Sequence, residues 1–287
     1  MIFLLTVNYR SSYLIQKLIN SLPDRSLTPY QLMIVNNSSE DTSLDTLKKY
    51  DFISIIHSPK NLGFGSACNI GIRRIFKIEP QAIIWIINPD AYLPQINFKE
   101  VTEFFNTHSE LSIVGTIVYD LQGKIWFSGG KFIADRGSIL HMSIRQNDQD
   151  YVFCDWVSGC SLLINLKKFS EPPLFDTQYF LYYEDLDFCQ RYRSQGYSIA
   201  ITSKFNVVHA PSSITNQNQF NKIRHSTFSY LLTLKKYSPL FVQILGLIKL
   251  FIYAIILLPF KTDVAIGKLM GITNYVNHLQ LKRKNLL

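Results

Sequence analysis

The feature of this sequence that most constrains its fold is a series of short, continuously apolar runs that alternate with amphipathic stretches. The apolar runs are "IFLLTV" (2–7), "QLMIV" (31–35), "FISIIH" (52–57) and "AIIWIIN" (82–88), and helical patterns cover 12–22, 42–50 and 65–76. Strands that are apolar on both faces and separated by helices form parallel sheets that are covered on each side. The pattern therefore predicts an α/β fold with a mostly parallel central sheet and helices on both faces.

The pattern changes between about 111 and 165, where short strands alternate with glycine turns. The stretches "GTIVYDLQGKIWFSGGKF" and "CDWVSGCSLLI" carry this signal. They predict antiparallel strands added to the sheet, which would enclose a second bound molecule. The sequence contains no internal repeat and no phosphate-binding loop of the GxxxxGKS/T type.

The excess positive charge of the chain lies entirely in its C-terminal quarter. Residues 1–214 contain 19 Lys and Arg against 20 Asp and Glu, whereas residues 215–287 contain 10 against the single acid Asp263. This change predicts a boundary at 214, between an α/β domain and a basic, apolar helical region. Because the basic residues are interleaved with apolar sequence rather than spread over a polar face, we expect no nucleic-acid partner.

The most apolar part of that region is "LFVQILGLIKLFIYAIILLPF" at 240–260. It is long enough to cross a bilayer, but Lys249 lies near its middle, where a charge is unfavourable. Gln243, Gly246, Lys249 and Tyr253 recur at spacings of three and four, which gives a helix one narrow polar stripe. Together with the surrounding lysines, this predicts a helix that lies in the surface of an anionic membrane. The alternative is a helix docked on the α/β domain or in a homodimer interface.

The cysteines and the N-terminus indicate a cytoplasmic protein. The four cysteines form no CxxC pair and no dense framework, which predicts neither a zinc site nor a set of disulfides. The first apolar run has no basic segment before it and no small-residue cleavage site after it, so we interpret it as a buried strand rather than a signal peptide.

Polar side chains follow the apolar strands at the points where ligands bind in sheets of this kind. Asn8 and Tyr9 follow the first strand, Asn36 follows the second, and "NPD" (88–90) follows the fourth. A carboxylate such as Asp90, in a loop fixed by proline, suits a hard divalent cation that also binds diphosphate oxygens. An ordinary turn is the alternative interpretation.

Two further segments carry possible ligand groups. In "PKNLGFGSACNIGIRR" (59–74), Gly63 and Gly65 lead into a helix whose N-terminus would favour an anion, although a tight turn has the same signature. In "FNVVHAP", His209 ends a short strand. It is either a structural histidine or, with Asp90, part of an octahedral magnesium or manganese site completed by diphosphate and water.

Three acids stand beside aromatic residues in "YFLYYEDLDFCQRYRSQGY" (179–197). A helix that begins near Glu184 places Glu184, Asp187 and Arg191 on one face and sets Asp185 apart from them. Helix-dipole complementarity and an i,i+4 ion pair between Asp187 and Arg191 account for two of the acids without any function. Asp185 is therefore the best candidate for a general base.

Seven stretches occur in an order that resembles a known enzyme family. They are "VNYR", "IVNNSSEDTS", "NLGFGSACNIGI", "WIINPDAYL", "WVSGCSLLI", "FDTQYFLYYEDLDFCQRYRSQGY" and "VVHAP". The series resembles family 2 glycosyltransferases of the GT-A fold, and among them the bacterial rhamnosyltransferase-like members that build O-antigen and other surface polysaccharides. The resemblance covers roughly residues 3–211, and it implies a GT-A catalytic domain over 1–214 with a C-terminal helical region over 215–287 that associates with a membrane.

The resemblance also implies roles for individual residues. The nucleotide-sugar donor would be bound by Asn8, Tyr9, Asn36, Asn61, Gly63, Asn88 and Asp90, and the acceptor side would be formed or supported by Trp156, Gly159, Glu184, Asp187 and Arg191. Asp90 and His209 would hold Mg²⁺ or Mn²⁺, and Asp185 would be the catalytic base of an inverting transfer. This chain departs from the family at Asn36, where the family usually has Asp, and "NPD" supplies only the last carboxylate of the family's DXD motif.

The activity expected from the resemblance is sugar transfer, with dTDP-L-rhamnose as one donor, to a hydroxyl of a glycan carried on undecaprenyl diphosphate. The protein would be peripheral, on the cytoplasmic face of the bacterial inner membrane, and a homodimer is compatible with the sequence. A sugar nucleotidyltransferase and a non-catalytic scaffold for glycan assembly are the alternative functions. The first of these normally has a glycine-rich, basic N-terminal loop, which "VNYRSSYLI" lacks.

Overall fold

The computed structural model describes residues 1–26, 28–38, 40–94, 96–143, 149–210 and 219–284. The chain divides into two compact units. The sheet unit comprises Met1–Lys131, His141–Gln178 and Asp185–Pro211, and the helical unit comprises Phe132–Leu140, Tyr179–Glu184 and Ser212–Leu287. The boundary expected at 214 falls outside the described residues, and two short segments that precede it group with the helical unit.

The first half of the chain alternates strands and helices. Its elements are β1 (Ile2–Asn8), α1 (Ser12–Asn20), β2 (Tyr30–Asn36), a 3₁₀ helix (Ser43–Lys49), β3 (Ile53–His57), α2 (Phe64–Ile78), β4 (Ile83–Ile87), β5 (Ala91–Tyr92), α3 (Phe98–Thr107) and β6 (Ile113–Tyr119). The second half consists of β7 (Ile125–Phe127), β8 (Gly130–Ile133), β9 (Ser138–His141), β10 (Tyr151–Phe153), β11 (Ser161–Asn165), α4 (Glu184–Ser194), β12 (Ile199–His209), α5 (Gln219–Tyr237), α6 (Leu240–Leu257) and α7 (Thr262–Lys284), with short 3₁₀ turns at Ala134–Arg136 and Leu166–Lys168.

The parallel half of the central sheet is the part that the apolar runs predicted. β1 pairs in parallel with β2 and with β4, and β2 pairs in parallel with β3. Every residue of β1 and β4 is buried, because both faces of these strands are covered. On α2, a Cβ at Gly71 would come within 2.3 Å of Leu5 Cδ1, so a residue without a side chain is needed for this helix to pack on β1.

The other half of the sheet is mixed, as the glycine-punctuated pattern predicted. β11 lies between β4 and β6 and is antiparallel to both, β12 is parallel to β6, and β10 is antiparallel to β12. The full strand order is β10-β12-β6-β11-β4-β1-β2-β3, with β5 on β12 and β7 on β6. The carboxyl ends of β1, β2 and β4 therefore meet at one edge of the sheet, which is where the polar loops lie.

Two local predictions differ from the structure. The helix expected at 42–50 is a 3₁₀ helix, because its buried residues Leu44 and Leu47 are three apart and share a face at three residues per turn, while Ser, Thr and Asp favour local hydrogen bonds over a regular helix. The strand that ends at His209 is not short. It has 11 residues, with an irregularity between Thr202 and Asn206 that lets it pair with all of β6.

The helical unit is built from α5, α6 and α7. A Cβ at Gly267 would lie 2.9 Å from the carbonyl oxygen of Phe220, and a Cβ at Gly271 would lie 2.7 Å from that of Arg224, so the two glycines let α7 approach the backbone of α5. Leu231, Leu232 and Leu234 of α5 are buried. α6 follows Pro239 and ends shortly before Pro259, which cannot donate the next helical hydrogen bond.

The apolar residues of α6 are largely exposed. We define the α6 apolar face by the exposed side chains Leu240, Phe241, Ile244, Leu245, Ile248, Phe251, Ile252, Ile255 and Ile256. The buried residues of this helix are instead Val242, Gly246 and Ala254. Among the described residues, α6 is the one helix that is long and apolar enough to cross a membrane.

Candidate active site

Asn8 and Asn36 lie side by side at the carboxyl ends of β1 and β2, where parallel pairing brings them into register. Asn8 Nδ2 donates to Asn36 Oδ1 and to Asp41 Oδ2, at 3.0 Å each, and Asn36 Nδ2 donates to the Asp41 carbonyl at 2.9 Å. Asn36 Nδ2 also lies 3.2 Å from His57 Nδ1. Asn36 is fully buried, so its side-chain amide supports the neighbouring polar loops from inside the protein.

Asn37 lies in the polar loop that the sequence placed at the site, but the sequence pattern assigned it no individual role. Its Nδ2 donates to Asn61 Oδ1 at 2.9 Å and to the Gly63 carbonyl at 3.2 Å, and its Oδ1 accepts from the Leu62 N–H at 2.9 Å. Gly63 has a φ of 83°, a left-handed conformation that glycine adopts without strain. Asn37 thus ties the loop before α2 to the end of β2. Its position next to Asn36 in a polar loop was the available signal.

Tyr9 is the exposed member of this group. Its side chain is 38% exposed, and the Arg10 guanidinium carbon lies 5.8 Å from the centre of its ring. The Arg10 N–H donates to Ser38 Oγ at 2.8 Å, which joins the loops after β1 and β2. An exposed ring beside a cation, above a rigid floor, offers a surface on which a nucleotide base can stack.

Asp90 and His209 are in direct contact, although 119 positions separate them in sequence. His209 Nε2 lies 3.0 Å from Asp90 Oδ1, and both side chains are buried. The pairing of β12 with β5 positions them, since His209 is in register with Ala91, the residue after Asp90. The Trp126 ring packs edge-on against the His209 ring at 4.9 Å.

The Asp90–His209 pair fits a divalent cation as two of its ligands. Two neighbouring ligands of an octahedral ion at about 2.1 Å are about 3.0 Å apart, which matches the separation of His209 Nε2 and Asp90 Oδ1. His209 Nδ1 is buried and has no hydrogen-bond partner among the described residues. The described residues contain no cluster of three or more His, Cys, Asp and Glu side chains, so further ligands would come from a bound substrate and water.

Asp185 lies in the first turn of α4 and is held by backbone N–H groups. Gly159 N–H donates to its Oδ2 at 2.9 Å, and Leu186 N–H donates to its Oδ1 at 2.8 Å. A Cβ at Gly159 would lie 3.0 Å from Phe64 Cε1, so this segment passes close to a side chain of α2. Burial raises the pKa of Asp185, and the two N–H donors act in the opposite direction. A carboxyl with a raised pKa is a stronger base than an ordinary aspartate.

The segment Ser158–Cys160 connects Asp185 with the loop after β4. Its Gly159 N–H binds Asp185, and its Cys160 carbonyl accepts from the Asn88 N–H at 3.1 Å, two residues before Asp90. Burial raises the pKa of the Cys160 thiol well above its usual value, and the carboxylates of Asp90 and Asp185 raise it further. Asp90 and Asp185 are therefore both close enough to Cys160 to affect the same buried thiol.

The remaining predicted site residues have structural contacts. Arg191 Nε donates to the fully buried Asp187 at 2.8 Å, which confirms the expected i,i+4 pair, and Arg191 Nη2 donates to the Leu174 carbonyl at 2.7 Å. Glu184 is buried at the start of α4. Trp156 is also buried, with its ring against Phe127 and against the backbone of Gly130, where a Cβ would meet the indole at 2.0 Å.

Comparisons with known proteins identify the family to which the chain is similar. The profile "Glycosyl transferase family 2" matches residues 3–165. The low-salt glycan biosynthesis hexosyltransferase Agl10 of Haloferax volcanii is 23% identical over 212 residues, which are 72% of this chain and 66% of that protein. The N-acetylglucosaminyl-diphospho-decaprenol L-rhamnosyltransferase of Mycobacterium tuberculosis is 20% identical over 256 residues, which are 81% of this chain and 83% of that protein.

A solved structure shares the fold. The mannosyltransferase PcManGT from Pyrobaculum calidifontis, in complex with GDP-Man and Mn²⁺, superposes with a TM-score of 0.55 at 11% identity and covers 96% of this chain and 86% of that chain. At this identity the likeness concerns the fold alone, which is the GT-A fold that the sequence predicted. Since the family profile covers more than half of the sequence, the chain belongs to glycosyl transferase family 2.

Proposed function

We propose that this glycosyltransferase moves a sugar from a nucleotide-sugar donor to a hydroxyl of a lipid-linked glycan, with inversion at the anomeric carbon. The observation that carries the proposal is the Ser158–Cys160 segment, which joins a carboxyl of raised pKa at Asp185 to the loop that ends in Asp90. A general base and a diphosphate site that share one rigid connection can act on the two sides of one anomeric carbon.

In the proposed reaction Asp185 takes the proton of the acceptor hydroxyl. The acceptor oxygen forms a bond to the anomeric carbon while the bond from that carbon to the diphosphate oxygen breaks, and the nucleoside diphosphate leaves with the electron pair. The backbone N–H groups of Gly159 and Leu186 hold the carboxyl of Asp185 in one orientation. Such orientation is required because a base acts only within hydrogen-bond reach of the proton it abstracts.

The loops after β1 and β2 would bind the nucleotide. The exposed ring of Tyr9 would stack on the base, and the hydrogen-bonded pair Asn8 and Asn36 would form the bottom of the nucleotide site. Asn61 and Gly63 lie in the loop that leads into α2. Asn36 carries no charge where the family usually has a carboxylate, and its amide is engaged with Asn8, Asp41 and His57. We therefore propose that Tyr9 and backbone groups contribute more to base recognition here than the side chain at 36.

Mg²⁺ or Mn²⁺ is the proposed cofactor, held by Asp90 and His209 together with diphosphate oxygens. Its contribution would be to neutralise charge on the departing nucleoside diphosphate. The contact between the two side chains and the Mn²⁺ bound in PcManGT support this assignment. In the same loop, the Asn88 N–H donates a hydrogen bond to the Cys160 carbonyl, which fixes the backbone next to Asp90.

The acceptor and the location follow from the relatives and from the helical unit. The name of the mycobacterial relative specifies a diphospho-decaprenol acceptor and an L-rhamnosyl group, which supports a lipid-linked acceptor and makes dTDP-L-rhamnose the first donor to test. The α6 apolar face and the ten basic residues of 215–287 support a peripheral position on an anionic membrane. We propose the cytoplasmic face of a bacterial inner membrane and a role in surface-polysaccharide synthesis.

The proposal is tested by incubating purified protein with a panel of nucleotide sugars, polyprenyl-diphosphate-linked acceptors, and Mn²⁺ or Mg²⁺. We expect acceptor-dependent release of a nucleoside diphosphate and a product whose anomeric configuration, measured by NMR, is opposite to that of the donor. Chelation with EDTA should abolish release, and Mn²⁺ should restore it. The proposal would be overturned if no donor in the panel gave more release with wild type than with the Asp185→Asn variant. A product that retained the donor's anomeric configuration would also overturn it.

A further inference from the structure

The helical unit contains a cavity of about 380 Å³ between α5, α6 and α7. Two lysines line it, Lys249 from α6 and Lys268 from α7, together with the hydroxyls of Ser226 and Thr227 from α5. None of the nine described lining residues carries a carboxylate. The cavity therefore presents cations and hydroxyl donors without a competing acid, which is the chemistry that binds phosphate groups.

The two lysines are held differently. Lys268 is half-buried, its Nζ lies 5.2 Å from the centre of the Tyr253 ring, and burial lowers its pKa. Lys249 is exposed, and no ion pair is found for it within the described residues. An anion in the cavity would compensate the desolvation of Lys268 and give Lys249 a partner.

The cavity lies along the polar stripe of α6, beside its apolar face. Gly246, Lys249, Leu250 and Tyr253 line it, at the spacing of three and four residues that marks one side of a helix. Residues on the flanks of that stripe, such as Ile248 at 47% and Ile252 at 52% exposure, point apolar side chains to the outside. A cavity lined by cations is thus directly adjacent to an apolar strip on the same helix.

We propose that this cavity is the subsite for the diphosphate of a polyprenyl-linked substrate, with the start of the polyprenyl chain lying along the α6 apolar face. The inference rests on the proposed function, because it assigns a position to the lipid part of the acceptor. Lys249 and Lys268 bind the diphosphate oxygens, and Ser226 and Thr227 donate hydrogen bonds to them.

Chain connectivity relates this subsite to the base. Tyr183, which lines the cavity, precedes Asp185 by two residues, so their Cα atoms are within about 7 Å of each other. Tyr182 and Tyr183 both have positive φ, 68° and 63°, which is unusual for residues with side chains. The strained pair is where backbone constraint and function commonly coincide. Tyr183 thus connects the cavity to the start of α4 through the chain.

The test measures binding, so that it does not depend on turnover. Full-length protein is mixed with neutral phosphatidylcholine vesicles that carry either polyprenyl diphosphate or phosphatidylglycerol at equal surface charge, and bound protein is measured by co-sedimentation. We expect tighter binding to the polyprenyl diphosphate vesicles, and soluble inorganic diphosphate should remove that preference. A preference of less than about threefold would overturn the proposal, since it would mean general attraction to anionic lipid.

Matched double variants separate the cavity from the basic surroundings. The Lys249→Gln, Lys268→Gln double variant should bind the polyprenyl diphosphate vesicles about 30-fold more weakly, because two lysine contacts are lost. It should therefore lose the preference for these vesicles. Lys235→Gln with Lys261→Gln removes the same charge from exposed positions that do not line the cavity, and it should retain the preference. Equal behaviour of the two doubles, with unchanged thermal unfolding, would contradict the assignment.

An activity arm distinguishes failure of the subsite from failure of the proposed function. With the same glycan on an octyl group that has no phosphate, the cavity double variant and wild type should have equal kcat/KM, whereas the variant should have a higher KM for the polyprenyl diphosphate acceptor. If wild type transfers sugar but the KM values do not separate, the subsite is wrong and the function stands. If wild type binds the lipid selectively but transfers nothing, the function is wrong and the subsite stands.

Discussion

The sheet unit and the helical unit place their apolar residues in opposite ways. In the sheet unit the isoleucines of β4 are fully covered, and polar groups such as Asn8 collect at one edge. In α6 the isoleucines are exposed, while Gly246 and Ala254 are buried. The first arrangement is that of a domain folded in water, because apolar surface is removed from the solvent. The second leaves an apolar surface of the kind that an apolar phase or another molecule covers.

Under the proposed function, this difference corresponds to a division of tasks within one chain. The sheet unit concentrates the groups that can do chemistry. Strand register brings Asp90 and His209 together, and backbone N–H groups hold Asp185. The helical unit concentrates cations and exposed apolar side chains, which are the groups that bind lipid. The following variants test whether chemistry and lipid binding separate in this way.

The largest effect is expected from Asp185→Asn in the sheet unit. An amide cannot accept the proton of the acceptor hydroxyl, so kcat should fall by about 10² to 10⁴. Vesicle binding should be unchanged, because the base makes no contribution to lipid affinity. Steady-state kinetics and co-sedimentation measure the two effects. Glu171→Gln, which removes an exposed carboxylate, is the control, and an Asp185→Asn variant with near-normal kcat would break the comparison.

A packing variant tests whether the helical unit depends on close contact between helices. Gly271→Val would press a side chain against α5, since a Cβ at 271 would lie 2.7 Å from the Arg224 carbonyl oxygen and 2.7 Å from Thr227 Cβ. The free energy of unfolding should fall by about 1–3 kcal/mol or more. Helix propensity alone would favour valine over glycine, so the sign identifies packing as the cause. Denaturant unfolding measures it, with the exposed Asn274→Val as control.

The exposed apolar side chains of α6 should matter for membranes and not for folding. Ile248→Ser with Phe251→Ser should weaken vesicle binding by about 10-fold or more, because each side chain gains about 1.5–3 kcal/mol on full burial. The thermal unfolding temperature should stay within a few degrees of wild type. Leu232→Ser in α5 is the matched opposite, since Leu232 is buried and its loss should cost stability. Equal destabilisation by both changes would mean that α6 is packed in the protein.

The smallest effect concerns pH. Burial raises the pKa of Asp185 above the ordinary value of 3.8, and only the ionised carboxyl acts as a base, so kcat/KM should rise with pH through a midpoint above 3.8. Because folding favours the protonated form, its stabilising contribution is present at low pH and is lost as pH rises through the folded pKa. The unfolding free energy of Asp185→Asn should therefore improve relative to wild type as pH increases. A pH–rate profile measures the midpoint of kcat/KM, and urea unfolding at several pH values measures the stability difference. A midpoint of kcat/KM at or below pH 3.8 would contradict the kinetic prediction.

Much of the fold was predictable because its signals are local. The runs at 2–7, 31–35 and 82–88 are apolar on both faces, and such strands are typical of a parallel sheet that is covered on both sides. The ion pair between Asp187 and Arg191 was predictable for the same reason, since helical geometry alone brings positions four apart together. The 3₁₀ helix at Ser43–Lys49 was missed because its apolar spacing of three occurs in α-helices as well.

Long-range contacts decided the rest of the site. No local pattern reveals that Asn37 bonds to Asn61 and Gly63, or that the Cys160 carbonyl accepts from Asn88, because the partners are far apart in sequence and meet only through strand order. The sequence by itself determined which segments could form strands and helices and which acidic residues were available for catalysis. The tertiary structure determined that His209 lies against Asp90, that Gly159 positions Asp185 and that α6 turns its apolar side outward, since these depend on how distant elements pack.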